Sequence, residues 1–161
     1  MLYYKKIIIY GYTEQQLEAA MRKVSLRRTS ALDMESAITD IGTDKLFLGY
    51  EGKKGLTFTR LKASPEKLLP KHIIRLKKDT GEAAYEVRLA LMPTILFVIL
   101  SAGWIVNAVL TIADEVPIDG FFSITMFCGI FLSAMFLDVK LTSSRVNKAI
   151  KQYGLIFSPV K

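Results

Sequence analysis

Few side chains in this sequence are of a type that carries out reactions, and their spacing limits what each can do. His72 is the single histidine. It stands among Pro70, Lys71 and Arg75 with no acid close by, so it reads as a surface histidine at the start of a strand, without an acid–base partner. Cys128 is the single cysteine and lies inside a long apolar stretch. That placement excludes an intramolecular disulfide and any Cys/His metal spacing, and it is too deep for juxtamembrane acylation. Glu51-Gly52-Lys53-Lys54-Gly55 has the glycines and lysines of a phosphate cradle. A strand follows it, however, where anion binding would need a helix N-terminus. Asp33 and Glu35 read as solvated carboxylates, and no nucleophile elbow is present. The expectation is a chain with no catalytic residue, no cofactor and no metal, and therefore not an enzyme.

Cations are the other residues with a chemical preference. Arg22-Lys23 and Arg27-Arg28 form one cluster, and Lys71, Arg75, Lys77 and Lys78 form another. Aromatic residues are not evidently interleaved on the same face, which argues against nucleic acid. Attraction to anionic lipid at the cytoplasmic face explains the second cluster, at about 1 kcal/mol per nearby cation. The expected lipid-contacting set is Lys71, Arg75, Lys77, Lys78, Arg88, Lys140 and Lys148.

What places these charges is a pair of apolar stretches. Leu89 to Ala113 holds no charge in 25 residues, and Gly120 to Leu137 holds none in 18. Between them lies Asp114-Glu115-Val116-Pro117-Ile118-Asp119. Twenty helical residues from Thr94 span roughly 30 Å and the 17 from Phe121 roughly 26 Å, enough for a transmembrane hairpin. Residues 1–93 carry a net +6, residues 114–119 carry −3 and residues 138–161 carry +4. Basic segments stay cytoplasmic, so both termini are expected inside and the acidic loop outside, in a bacterial inner membrane. The N-terminal Met1-Leu-Tyr-Tyr-Lys-Lys-Ile-Ile-Ile-Tyr lacks the order of a signal peptide, so insertion is assigned to the hairpin.

Helices in lipid pack through small and polar residues. Gly103, Asn107 and Thr111 recur every four residues on the first helix, and Thr125, Gly129 and Ser133 do so on the second. We expect these stripes to face each other, with Asn107 bonding Thr125 or a backbone carbonyl. The alternative gives them to another protomer or subunit. Asn107 reads as structural glue, since an ion path usually shows intramembrane charge. Trp104 sits near mid-membrane, away from the interface that tryptophan prefers.

The rest of the chain must carry the soluble elements. Leu2 to Tyr10 predicts a strand. Thr13-Glu14-Gln15-Gln16 matches a capping box, followed by Leu17, Ala20, Met21 and Val24 at helical spacing. Residues 29–42 fit a helix through Met34, Ala37, Ile38 and Ile41, or a poorly formed strand. Lys45–Tyr50 and Leu56–Lys62 predict a hairpin, and Pro70 stops a short helix begun at Ser64-Pro65. His72–Lys77 and Ala83–Leu89 predict a second hairpin around Asp79-Thr80-Gly81. Pro93 suits a first helical turn. Beyond Leu137, the stripe Val139, Thr142, Val146, Ala149, Ile150 and Tyr153 continues the second helix to a stop at Gly154. Its apolar stripe should dock on the N-terminal domain or lie along lipid. Leu155-Ile156-Phe157 adds a short strand or anchor.

The fold class is thus α+β. A small N-terminal antiparallel-sheet domain with one or two helices (residues 1–90) precedes the transmembrane hairpin (91–137, helices about 93–113 and 120–137). A cytoplasmic helical extension (138–161) follows. The segments Phe58-Thr-Arg-Leu-Lys, Leu69-Pro70-Lys-His-Ile-Ile and Val87-Arg-Leu-Ala-Leu-Met-Pro93, followed by two apolar helices, resemble uncharacterised small bacterial two-helix membrane proteins over residues 56–150. The chain departs from that pattern at Ala63-Ser-Pro-Glu66, where an Asn-Ser pair is expected. The resemblance implies an architecture and no activity.

The functional expectation is a non-enzymatic anchor or accessory protein that presents its domain to a protein partner or to a second copy of itself. One rival is an immunity or regulatory protein acting on a membrane toxin or membrane enzyme. Another is an oligomeric transporter or channel lined by Asn107, Thr111, Thr125 and Ser133.

Overall fold

A computed structural model describes residues 4–33, 45–52, 55–77, 83–113 and 117–153. The ambiguous piece through Met34 and Ile41, with Glu35, lies outside the described residues. So do Lys53 and Lys54, Lys78 with the Asp79-Thr80-Gly81 turn, the acidic loop at 114–116, and everything from Gly154 onward.

Six strands and two long helices dominate. β1 (Lys5–Ile9) leads to α1 (Glu14–Lys23), then β2 (Ser25–Arg28), β3 (Phe47–Gly52) and β4 (Gly55–Arg60). A 3-10 turn (Glu66–Leu68) precedes β5 (His72–Leu76) and β6 (Ala83–Leu89). α2 (Leu91–Ile112) and α3 (Ile118–Tyr153) complete the described elements. The capping box at α1 forms as the sequence predicts: the Gln16 amide donates to Thr13 Oγ1 and the Thr13 amide donates to Gln16 Oε1.

The α+β layout is present, but the sheet is mixed. Its order is β1-β6-β5-β4-β3-β2. Every pair is antiparallel except β2 with β3, which run parallel in the register Ser25↔Phe47 to Arg28↔Tyr50. The cause lies in residues 29–46, a connection longer than the dozen or so residues a parallel return requires. β2 has no strand signal of its own: Ser-Leu-Arg-Arg is short and half cationic, a composition suited to a sheet edge.

The main core lies on one sheet face. Leu17, Ala20, Met21 and Val24 of the α1 region meet Phe47, Leu56, Phe58, Ile74, Leu76, Tyr85 and Val87 of the strands. Val139, Val146, Ala149 and Ile150 of α3 join the same cluster, and Tyr153 packs against its margin. The second half of α3 therefore docks on protein. Lys23 Nζ sits 4.7 Å from the centre of the Tyr153 ring and fastens the far end of this contact. A smaller cluster of Leu32, Leu48, Leu61, Ile73 and Ala90 forms separately.

α2 begins at Leu91, two residues before the predicted start, and Pro93 still falls in its first turn, where a missing amide hydrogen is no loss. α2 and α3 are each long and apolar enough to cross a membrane, and none of their most apolar 18-residue windows is buried inside the protein. A core helix would be covered by its own domain, whereas these two expose apolar residues such as Val98, Ile99, Phe122 and Phe136. They are candidate membrane spans arranged as a helical hairpin, and α3 continues out of it without a break.

Candidate functional site

The most unusual chemistry lies where α3 leaves the apolar hairpin. Its first charged residue after Asp119 is Asp138, which is completely buried. The strands supply the partners. Leu56, Phe58 and Arg60 alternate onto the core face of β4, as do His72, Ile74 and Leu76 on β5. Arg60 ends its strand and His72 begins its own, so the two strands place a cation and an imidazole at the same end of the sheet. Lys62 follows one loop residue later.

All three converge on one carboxylate. Asp138 Oδ1 lies 2.5 Å from Arg60 Nη2 and 2.9 Å from Lys62 Nζ, and Oδ2 lies 2.6 Å from His72 Nδ1. Lys62 Nζ also donates to the carbonyls of Leu69 and Pro70 at 2.8 and 2.9 Å. Arg60 Nη1 bonds Glu66, whose carboxylate receives Arg145 Nη2 at 3.0 and 3.1 Å. Arg145 Nη1 donates to Leu61 O at 3.2 Å. Asp138 and Arg145 lie two turns apart on α3, so the helix is gripped at two heights.

Burial alone would raise the pKa of Asp138. The His72 hydrogen bond and the charges of Lys62 and Arg60 outweigh it and hold the carboxyl at about 2. Burial pushes Lys62 below the usual lysine range, with Asp138 opposing. Burial and the Asp138 charge both raise the Tyr4 phenol. An ionised carboxylate can only accept, so His72 Nδ1 carries the proton in this contact. The other ring nitrogen, Nε2, is buried with no hydrogen-bond partner among the described residues. The Tyr4 ring packs edge-on against the imidazole at 5.9 Å. An Asp–His pair of this kind orients a base in hydrolases, which also need a nucleophile at Nε2. Here His72 is 2% exposed, no polar group among the described residues meets Nε2, and the Asp138 contact ties α3 to the start of β5. The expectation of a surface histidine is corrected: the acid that buries it comes from 66 residues away.

A second carboxylate grips α2, the other candidate membrane span. Asp33 Oδ2 receives Arg88 Nη2 at 2.6 Å, and Oδ1 receives Arg88 Nη1 and the Leu91 amide, each at 3.0 Å. Ala90, at the N-cap of α2, has no side-chain oxygen, so Asp33 performs that cap from across the fold. The Arg88 hydrogen bond lowers the Asp33 pKa against the effect of burial. Asp33 is therefore paired, where a solvated carboxylate was expected. Arg88, expected at lipid, is 7% exposed and committed to this pair and to Leu89 O.

The other sequence-predicted cations scatter. Lys71 Nζ donates to Leu32 O, Lys77 pairs with Glu86 at 3.3 Å, and Arg75 is half-buried. Lys140 and Lys148 are exposed and line a groove between β1 and α3. Lys78 lies outside the described residues.

In the hairpin, Thr125 Oγ1 accepts from Trp104 Nε1 at 3.0 Å, and Asn107 Nδ2 donates to its own helix at Gly103 O, 3.3 Å away. Gly103 approaches Ile124 closely: a Cβ there would lie 3.1 Å from the Ile124 side chain. Gly129 has open space at the equivalent position, Ser133 is exposed, and the half-buried Thr111 hydroxyl has no partner among the described residues. Trp104, Phe97 and Cys128 make the remaining contacts, through Phe121, Phe131 and the Leu100 carbonyl. Thr125 thus pairs with the Trp104 indole, and Asn107 bonds a backbone carbonyl, the other partner expected for it, within its own helix.

Sequence reasoning missed Asp138, Arg60, Lys62, Glu66 and Arg145. One signal was present. Asp138, Thr142, Arg145 and Ala149 share the docked side of α3 with the apolar stripe, at helical spacing. Among the described residues, no cluster of His, Cys, Asp and Glu is arranged to hold a metal. No protein-family model, curated protein or solved structure matches the chain.

Proposed function

We propose that this chain is a non-enzymatic accessory protein of a bacterial inner membrane, which holds a cytoplasmic α+β domain at a set height and angle on the bilayer for a protein partner. The observation that carries this reading is the unbroken α3. It runs from the hairpin into the domain core and is locked at the junction by Asp138. A flexible tether would let the domain sample many orientations. Two clamped helices, one capped by Asp33 and one held by Asp138, suppress that freedom. A fixed pose favours a scaffold, because a preoriented surface loses less entropy when it binds.

The charge asymmetry supports both termini facing the cytoplasm. Leu68 is 93% exposed and Met92 70%, and both border one cavity beside Pro93 and Leu96 at the start of α2. Apolar side chains there suit a domain seated against the bilayer. The test is purification of the full chain in mild detergent, with native mass spectrometry and crosslinking in cells. A stable complex with a second protein is the expected result. A monomer that crosslinks to nothing in cells contradicts the proposal.

A further inference from the structure

The cytoplasmic half of α3 and the edge strand β1 enclose a groove of about 1030 Å³. Its floor includes Ile7 and Val139, and Lys5, Lys140, Lys148 and Lys151 surround it, all exposed. Ser144 and Asn147 add hydroxyl and amide groups, and no carboxylate among the described residues lines it. β1 is the terminal strand of the sheet, so one side of its backbone lacks a neighbouring strand among the described residues. Among the described residues, a row of open amides and carbonyls therefore flanks a strip of positive charge.

Resting on the accessory-protein reading, we propose that an acidic, extended segment of the partner docks here by adding a strand to β1. Lengths agree: Lys140 to Lys151 covers roughly 16 Å of helix at 1.5 Å per residue. The five residues of β1 cover about the same at 3.3 Å each. Backbone pairing supplies affinity and alternate acidic side chains meet the lysines, the pattern of β-strand addition. A lipid headgroup fits less well. The polar layer of a bilayer is only about 5–8 Å deep on each side. Lys148 and Lys151 lie roughly 16 and 21 Å beyond Leu137 along the helix. A second copy of β1 would bring Lys5 and Lys6 against the same lysines, a like-charge contact.

The test uses the full chain in phosphatidylcholine nanodiscs and a fluorescent peptide of five Glu-Val repeats, followed by anisotropy. Binding should weaken at least ten-fold in the double variant Lys140→Glu, Lys148→Glu, and as much when the peptide backbone is N-methylated. Both lysines are exposed, so an unchanged melting curve will show that the variant folds. Absence of binding, equal binding of a Lys-Val peptide, or indifference to N-methylation overturns the proposal. Displacement of the peptide by added phosphatidylglycerol also overturns it, in favour of headgroups. So does a dimer abolished by Lys148→Glu, in favour of a second copy. A native partner complex that survives the double variant leaves the accessory-protein reading intact and removes this one.

Discussion

Asp138 concentrates the electrostatics of this protein in a single side chain. Asn at this position would keep the shape, take from Lys62 its paired carboxylate and leave Arg60 with Glu66 alone. Breaking a buried pair in this way typically costs about 3–5 kcal/mol, so Asp138→Asn should lower the denaturation midpoint sharply in a detergent unfolding series. The pH dependence follows from the sign of the shift. A carboxyl held at about 2 in the fold and near 3.8 in the open chain stabilises the fold above the higher value, and loses that contribution as pH falls toward the lower. The loss is about 2 kcal/mol. Asp33 is shifted the same way and adds to it. Stability should therefore decline below about pH 4, and an acid titration of Asp138→Asn should show a shallower decline. The apolar stripe around Asp138 was legible in the sequence because helical spacing is local. Its ion partners were not, because Arg60, Lys62 and His72 are 66 to 78 residues away in the chain. Periodicity says nothing about which charges a fold will bring together.

Individual elements depend on their ends. α2 starts with an N-cap that provides no side-chain acceptor, and Asp33 supplies one. Asp33→Ala should free the Leu91 amide and unpair Arg88. It should cost about 1–3 kcal/mol, and hydrogen exchange should speed up at the first turn of α2 before any other part of the helix. The α1 capping box is local, so the sequence alone located it. The hairpins β3–β4 and β5–β6 were legible for the same reason, with Gly55 at φ +106° turning the first of them. The parallel β2–β3 pair was not, since its register comes from a tertiary crossover and not from the four residues of β2. Within the hairpin, the pattern of small residues predicted close approach but not the indole of Trp104, whose reach to Thr125 depends on its rotamer.

Across the whole molecule, α3 acts as a single rod of 36 residues, roughly 54 Å long. Inserting one alanine between Leu137 and Asp138 would turn everything beyond it by about 100°. The carboxylate would leave its partners and the stripe Val139, Val146 and Ile150 would rotate off the core. This insertion should unfold the domain, whereas an alanine inserted after Ile112, at the end of α2, should leave the domain's melting curve unchanged. Sidedness has an equally direct test. In a Cys128→Ala background, Ile118→Cys should react with an impermeant maleimide in intact cells, and Gln152→Cys should react only after permeabilisation. The reverse pattern would invert the assigned orientation.

The order of synthesis follows from where Asp138 sits. A ribosome makes Arg60, Lys62 and His72 long before it makes the carboxylate that joins them. Until α3 has been produced, Lys62 lacks its paired carboxylate, Arg60 has Glu66 alone, and the core face lacks Val139, Val146 and Ile150. Strand pairing can begin, but the core face that α3 covers stays open until that helix has been made. A chain truncated before Asp138 should therefore be cut faster by protease than the full chain.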